Sequence, residues 1–275
     1  MKSRIEPNNN TMKLSQLLGV LSAGIVLFNS ESLQAQLINV DFNGNSVGQA
    51  YGGGGAAVGP TQSGAALIGS AGDTWNGISD SMLTFSSYPS GASASGLALN
   101  YANGGASGVT MSLTGDGTYD ANEPNWGNTS AFTTAASPYS NLMEDLIYAN
   151  SPQSITLSGL AANTAYNLII YSAGDQNVGA GRTSTFTVNG NTQTSFWNGT
   201  TSTLIAGQTY VQYNSALTDG LGKLVINFGV AGGSGALETD LTGFQLAAAP
   251  EPSTWAMLAA GGVVLLGYRR SFRRA

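Results

Sequence analysis

The sequence predicts an all-β fold, a β-sandwich or jelly roll of about a dozen strands with one short helix. A signal segment is expected before it and an apolar helix after it. Three observations carry the prediction. Short stretches with apolar residues at every second position recur along the chain. Turn residues separate them, in a chain with 38 glycines. Charged residues make up 9% against a usual ~25%, while 42% hydrophobic content is enough to build a core. This is not the composition of a disordered chain, which combines high charge with low hydrophobicity.

The chain opens with Lys2, Arg4 and Lys13, then the apolar run Leu17 to Phe28, then Leu33-Gln34-Ala35. Basic start, short apolar run and small final residue read as a signal peptide over residues 1–35. Met12 is an alternative start. A membrane anchor is the competing reading, and the run is shorter than a span requires. The body occupies residues 36–249.

Within the body, residues 37–42 (LINVDF) place Ile38, Val40 and Phe42 on one face of a strand. Residues 82–87, 96–101 and 108–115 add three strands. Residues 154–160, 165–172, 183–190, 209–215, 223–229 and 241–246 repeat the period of two. Asn189-Gly190 and Gly220-Leu221-Gly222 supply turns. Residues 137–149 (SPYSNLMEDLIYA) break the pattern and predict a helix, with Ser137 as cap, Pro138 in its first turn, and Glu144 and Asp145 toward solvent. Residues 51–59 and 102–107 read as loops rather than domain linkers.

Charge narrows the function classes. The body has two basic residues, Arg182 and Lys223, against twelve acids, a net charge near −10. Nucleic-acid binding by phosphate neutralisation is excluded on that count. Cations and neutral polymers are the natural partners. The chain has no Cys and no His, so disulfide frameworks, thiolate chemistry and Ser–His–Asp catalysis are ruled out. Lys223 is in no Ser-x-x-Lys motif, and no acid pair stands in a recognisable glycosidase motif. The chain reads as a non-enzyme without an organic cofactor.

Two sets of carboxylates are candidate oxygen ligands for a structural Ca²⁺. Asp116, Asp120 and Glu123 lie in one loop, without EF-hand spacing; a solvated loop is the alternative. Asp41, Glu238 and Asp240 would meet if the first and last strands pair, as in jelly rolls. Arg182 faces two readings, an ion bridge to Asp175 or another carboxylate, or a sugar contact. Trp75, Trp126 and Trp197 sit in loop-like contexts and are candidate stacking platforms for sugar rings, with core packing as the alternative.

The last 26 residues need their own account. Pro250-Glu251-Pro252 precedes an apolar run from Trp255 to Tyr268, and Arg269, Arg270, Arg273 and Arg274 form a basic tip over 269–274. As a helix the run spans about 21 Å, short of a ~30 Å bilayer core. Tripeptide, short apolar helix and basic tip resemble, in that order, the PEP-CTERM sorting segment of Gram-negative bacteria, here residues 250–275. The resemblance implies recognition and cleavage by an exosortase. It also implies a transient inner-membrane intermediate, then release to the cell surface or an exopolysaccharide matrix. A plain tail anchor is the alternative. The same terminal segment is found on some proteins described as ice-binding. Residues 158–174 (SGLAANTAYNLIIYSAG) loosely resemble a hairpin of fibronectin-like and carbohydrate-binding sandwiches, without that pattern's proline.

The expectation is therefore an exported, non-catalytic surface or matrix protein. A carbohydrate-binding protein of the same shape is the alternative. A glycosidase or an ice binder ranks below both, the latter because Thr-x-Thr is not sustained along the sequence.

Overall fold

The computed structural model describes residues 36–44, 61–87, 90–120, 130–174 and 181–249. The signal segment, the sorting segment, the 51–59 loop, Glu123, Trp126 and Asp175 lie outside the described residues.

One sheet has five strands. In spatial order these are β12 (Tyr210–Leu217), β9 (Ala165–Tyr171), β15 (Gly243–Ala248), β1 (Ile38–Asn43) and β2 (Asn76–Ser79). The larger sheet runs β11 (Asn191–Trp197), β10 (Arg182–Val188), β13 (Leu224–Phe228), β8 (Gln153–Ser158), β5 (Ala106–Thr114), β4 (Ser90–Asn100), β6 (Gly117–Asp120), β7 (Asp145–Ala149), β14 (Thr239–Leu241). Strand β3 (Thr84–Ser87) pairs with β4 off this path. The larger sheet curls until β14 reaches β10, where Ser184 Oγ accepts from Asp240 N at 2.9 Å.

The period of two explains the main core. Ile38, Val40 and Phe42 of β1 and Leu168 and Ile170 of β9 face Met111 of β5, Ile155 and Leu157 of β8 and Phe228 of β13. These side chains form one buried cluster between the sheets. The first and last strands pair as expected, with Val40 opposite Phe244. The β10–β11 hairpin turns through Asn189 and Gly190, whose φ angles of 50° and 76° are those a two-residue turn of this hand requires.

A second core covers the outer face of the small sheet. Ile169 and Tyr171 pack there with Trp75, Phe132, Leu142, Met143 and Trp197. Both faces of β1 are therefore buried. Asn39, Asp41 and Asn43, its polar alternates, lie under residues 61–75 instead of facing water. Polar contacts bind that segment down. Gln245 Nε2 donates to Asn39 Oδ1 at 2.8 Å and to Ile68 O at 2.9 Å, and its Oε1 accepts from Ile68 N and the Tyr171 hydroxyl. The buried amides of Asn39 and Gln245 thus keep partners.

Two expectations are corrected. The helix predicted over 137–149 is confined to α2 (Ser140–Glu144), with α1 (Ala131–Thr134) before it. Residues 145–149 are strand β7, because β6 and β14 pair with both of its edges and Ile147 and Ala149 reach the main core. Asp145 is 1% exposed rather than solvated, and Glu144 is half-buried. Ser137 does not cap α2, whose first flanking residue is Tyr139. Residues 158–174 are not a hairpin. They cross from β8 in one sheet to β9 in the other, and the Tyr166 hydroxyl accepts from Ala161 N across the corner. Among the described residues no helix is long and apolar enough to cross a membrane.

Candidate functional site

The outer face of the large sheet is the exposed complement of the main core. Most residues that alternate with core positions there are Ser, Thr and Asn, with Val225 among the exceptions. Registers align them across strands. Thr192 lies opposite Thr187, Thr187 opposite Asn227, and Asn227 opposite Ser154. Thr114 Oγ1 accepts from Ser154 N at 3.2 Å, and Thr114 lies opposite Ser93. A second row places Ser112 opposite Thr156, and Thr156 opposite Val225. Strands lie ~4.8 Å apart, so the long row extends across roughly 25 Å.

An open groove of about 370 Å³ sits on this face where β3, β4, β5 and β8 adjoin. Seven of its nine lining residues carry hydroxyls, among them Thr84, Ser95, Ser112 and Thr156, and none is charged.

The residues singled out in the sequence fall elsewhere. Trp75 is 8% exposed and donates its Nε1–H to Gly64 O at 2.8 Å. Trp197 is 1% exposed and donates to Thr201 O at 3.0 Å. Both belong to the second core and offer no face to a sugar. Arg182 is committed to an ion bridge, with Nη1 2.9 Å from Glu238 Oε1 and Nε 3.3 Å from Asp240 Oδ2. It joins β10 to the curled end of the sheet and presents no free fork for ligand.

The candidate calcium ligands are regrouped. Asp116 accepts hydrogen bonds from Asn150 N, Ser151 N and Gln153 Nε2 at 2.6, 2.8 and 2.6 Å. It pins the turn before β8 and does not join Asp120. Glu238 and Asp240 share the one guanidinium of Arg182 at the edge of the large sheet, whereas Asp41 is on β1 of the small sheet. Asp41 and Asp120 instead come together with three acids the sequence reading did not select: Asp80, Glu144 and Asp145. The β6–β7 register sets Asp120 opposite Asp145. Glu144 precedes Asp145, and Asp80 follows β2 where Ser79 pairs with Asn43 of β1. The end of β1 lies against β6 and β7, since a Cβ on Gly44 would stand 2.7 Å from Thr118 Cβ and 3.4 Å from Leu146 O. Burial, then repulsion from Asp120, Glu144, Asp41 and Asp80, holds the Asp145 carboxyl well above the ordinary range. Burial does the same to Asp41, partly offset by the Gln62 N–H at 2.7 Å.

Neither a protein-family model nor a curated protein matches the chain. One solved structure is similar, the CBM36-1 domain of a multidomain xylanase from the hindgut metagenome of Trinervitermes trinervoides. The likeness is 14% in identity over 52% of this chain and 99% of that one, with a TM-score of 0.29. A likeness of that size fixes neither a ligand nor a site here.

Proposed function

We propose that this is an exported, non-catalytic β-sandwich protein that binds a neutral extracellular polysaccharide on the outer face of its large sheet. The observation that supports the ligand class is the uncharged hydroxyl groove in an otherwise strongly acidic body. Sugar hydroxyls and Ser/Thr hydroxyls serve each other as both donor and acceptor. A rigid sheet presents them in fixed rows, which lowers the ordering cost of binding. The groove contains no acid or base to activate water, so the reading is retention rather than cleavage. Export and sorting are supported by the signal segment and by Pro250-Glu251-Pro252, the apolar run and Arg269-Arg270. In that reading an exosortase cleaves near the tripeptide and the released body stays in the polysaccharide matrix.

Both described cores lie within residues 36–249, so that segment is suited to the binding test. A glycan array followed by affinity electrophoresis should show retention by at least one neutral polysaccharide. Thr156→Glu places a charge in the groove and should abolish retention with an unchanged melting temperature. No retention by any glycan, or equal retention by the variant, rejects the ligand reading. Intact-mass measurement on protein released by the native host should show loss of residues 255–275; a retained membrane-embedded tail rejects the sorting reading.

A further inference from the structure

We infer that Asn198-Gly199, in the turn after β11, is a site of spontaneous modification. There the Gly199 amide nitrogen closes on the Asn198 side chain, ammonia leaves, and water converts the ring to an acid. The chain holds five Asn-Gly pairs, at Asn43, Asn76, Asn103, Asn189 and Asn198. A following glycine has no Cβ to hinder the attack, so every pair has the local chemistry. The fold separates them. Asn43 and Asn76 lie in β1 and β2. Asn76 has both side-chain atoms tied, Nδ2 donating to Asn39 O and Asn100 O and Oδ1 accepting from Asn100 N. Asn189 is clamped to the end of β12, its Nδ2 donating to Leu217 O at 2.9 Å and its Oδ1 accepting from Leu217 N at 2.8 Å. Asn103 Oδ1 accepts one bond, from Gly105 N at 2.9 Å.

Asn198 differs in what surrounds its oxygen. Oδ1 accepts from Thr200 N at 3.0 Å, Thr200 Oγ1 at 3.2 Å, Thr201 N at 2.8 Å and Thr201 Oγ1 at 2.8 Å. The side chain is thus folded forward over its own following backbone, with Cγ alongside the Gly199 peptide. When the Gly199 nitrogen attacks Cγ, the electron pair of the C=O bond moves onto Oδ1. Four donors already point at that atom, and donors fixed where charge develops stabilise an oxyanion. Among the described residues no hydrogen bond holds Nδ2, the group that leaves. Asn198 and Thr200 are exposed. Gly199 itself is buried at a φ of 80°, yet a Cβ built on it would meet nothing within 4 Å, so one side of its peptide is open. Trp197 anchors the turn from below, its Nε1–H donating to Thr201 O at 3.0 Å.

Water is the only co-reactant. The Gly199 nitrogen gives up its proton and bonds to Cγ, the Cγ–Nδ2 bond breaks, and Nδ2 departs as ammonia with that proton. Water then opens the cyclic imide at either carbonyl. Opening at Cγ gives aspartate at position 198, and opening at the main-chain carbonyl gives the β-linked isomer. Asparagine and water thus become an acid and ammonia. The aspartate accepts the same four donors with a full charge, which strengthens each bond and keeps the turn in shape. The β-linked isomer adds a carbon to the main chain and draws its carboxylate away from those donors. Either product adds one negative charge at the end of β11. This site stands whether or not a polysaccharide binds on the outer face of the large sheet.

The test incubates folded residues 36–249 at mildly alkaline pH and follows them by isoelectric focusing and peptide mapping. A species one charge more acidic should accumulate and map to Asn198 before Asn103 or Asn189. The same chain held unfolded in guanidinium chloride should convert Asn198 more slowly than the folded protein does. Thr200→Val removes one hydroxyl donor and should slow the folded reaction about three- to tenfold, with Thr200→Ser restoring it. Asn198→Gln lengthens the side chain so that the five-membered ring cannot form, and the acidic species should vanish. Faster conversion at Asn103 or Asn189, faster conversion of Asn198 in the unfolded chain, or an unchanged rate in Thr200→Val would each overturn the site. Should a variant not fold, the comparison of folded with unfolded parent decides.

Discussion

Arg182→Ala removes the cation that joins β10 to the β14 end of the large sheet. The structure distinguishes two magnitudes. An exposed ion pair contributes ~0–1 kcal/mol, because water and salt screen it. A buried charge that loses its partner costs ~3–5 kcal/mol, because it stays desolvated with nothing to offset it. Asp240 has a side chain only 1% exposed, and Glu238 one 18% exposed. The substitution also removes the Nη1 hydrogen bond to Gly235 O at 2.7 Å. The larger figure therefore applies. For a body of this size it corresponds to a melting temperature lower by roughly 6–20 °C. Urea unfolding of residues 36–249 followed by tryptophan fluorescence reads it directly, with an unchanged m-value as the condition for comparison. Adding Asp240→Asn to Arg182→Ala should recover part of the loss, since an amide tolerates burial better than an unpaired carboxylate. A loss below about 1 kcal/mol, or strict additivity of the two substitutions, would refute the reasoning.

Two other outcomes follow from the packing. Trp75→Ala and Trp197→Ala should each destabilise the fold by ~3–5 kcal/mol, as truncation of a buried aromatic does, and leave glycan retention per folded molecule intact; lost retention at an unchanged melting temperature would make either ring a ligand platform. Burial pushes the Tyr213 hydroxyl up to about 12 from its ordinary 10.0. Because the folded state holds that proton more tightly, its stabilisation is complete below pH ~10 and is lost as pH rises toward ~12. Tyr213→Phe should flatten the fall in stability across that window, and an unaltered slope would refute the assignment.

The sequence by itself determined the strands whose apolar residues alternate. β1, β5, β8, β9, β10, β12 and β13 fall where the period of two places them, because which side chains share a face of a strand is a local property of extended backbone. The Asn189-Gly190 turn was legible for the same reason, since positive φ at two consecutive residues selects those types. Scarce charge was legible as composition, and it accounts for the uncharged sheet face once the strands are aligned. Tertiary structure alone decided what covers each face. Alternation along β1 does not say what covers Asn39, Asp41 and Asn43; residues 61–75 close over them. Leu146 and Ile147 suited a helical stripe as well as a strand, and only the edges offered by β6 and β14 resolved the choice. The acidic cluster had no local signal at all, because Asp41, Asp80, Asp120 and Asp145 are brought together by sheet topology. No spacing along the chain encodes a neighbour that arrives from a strand a hundred residues away, and the free energy of burying those carboxylates side by side exists only after the sheets have met.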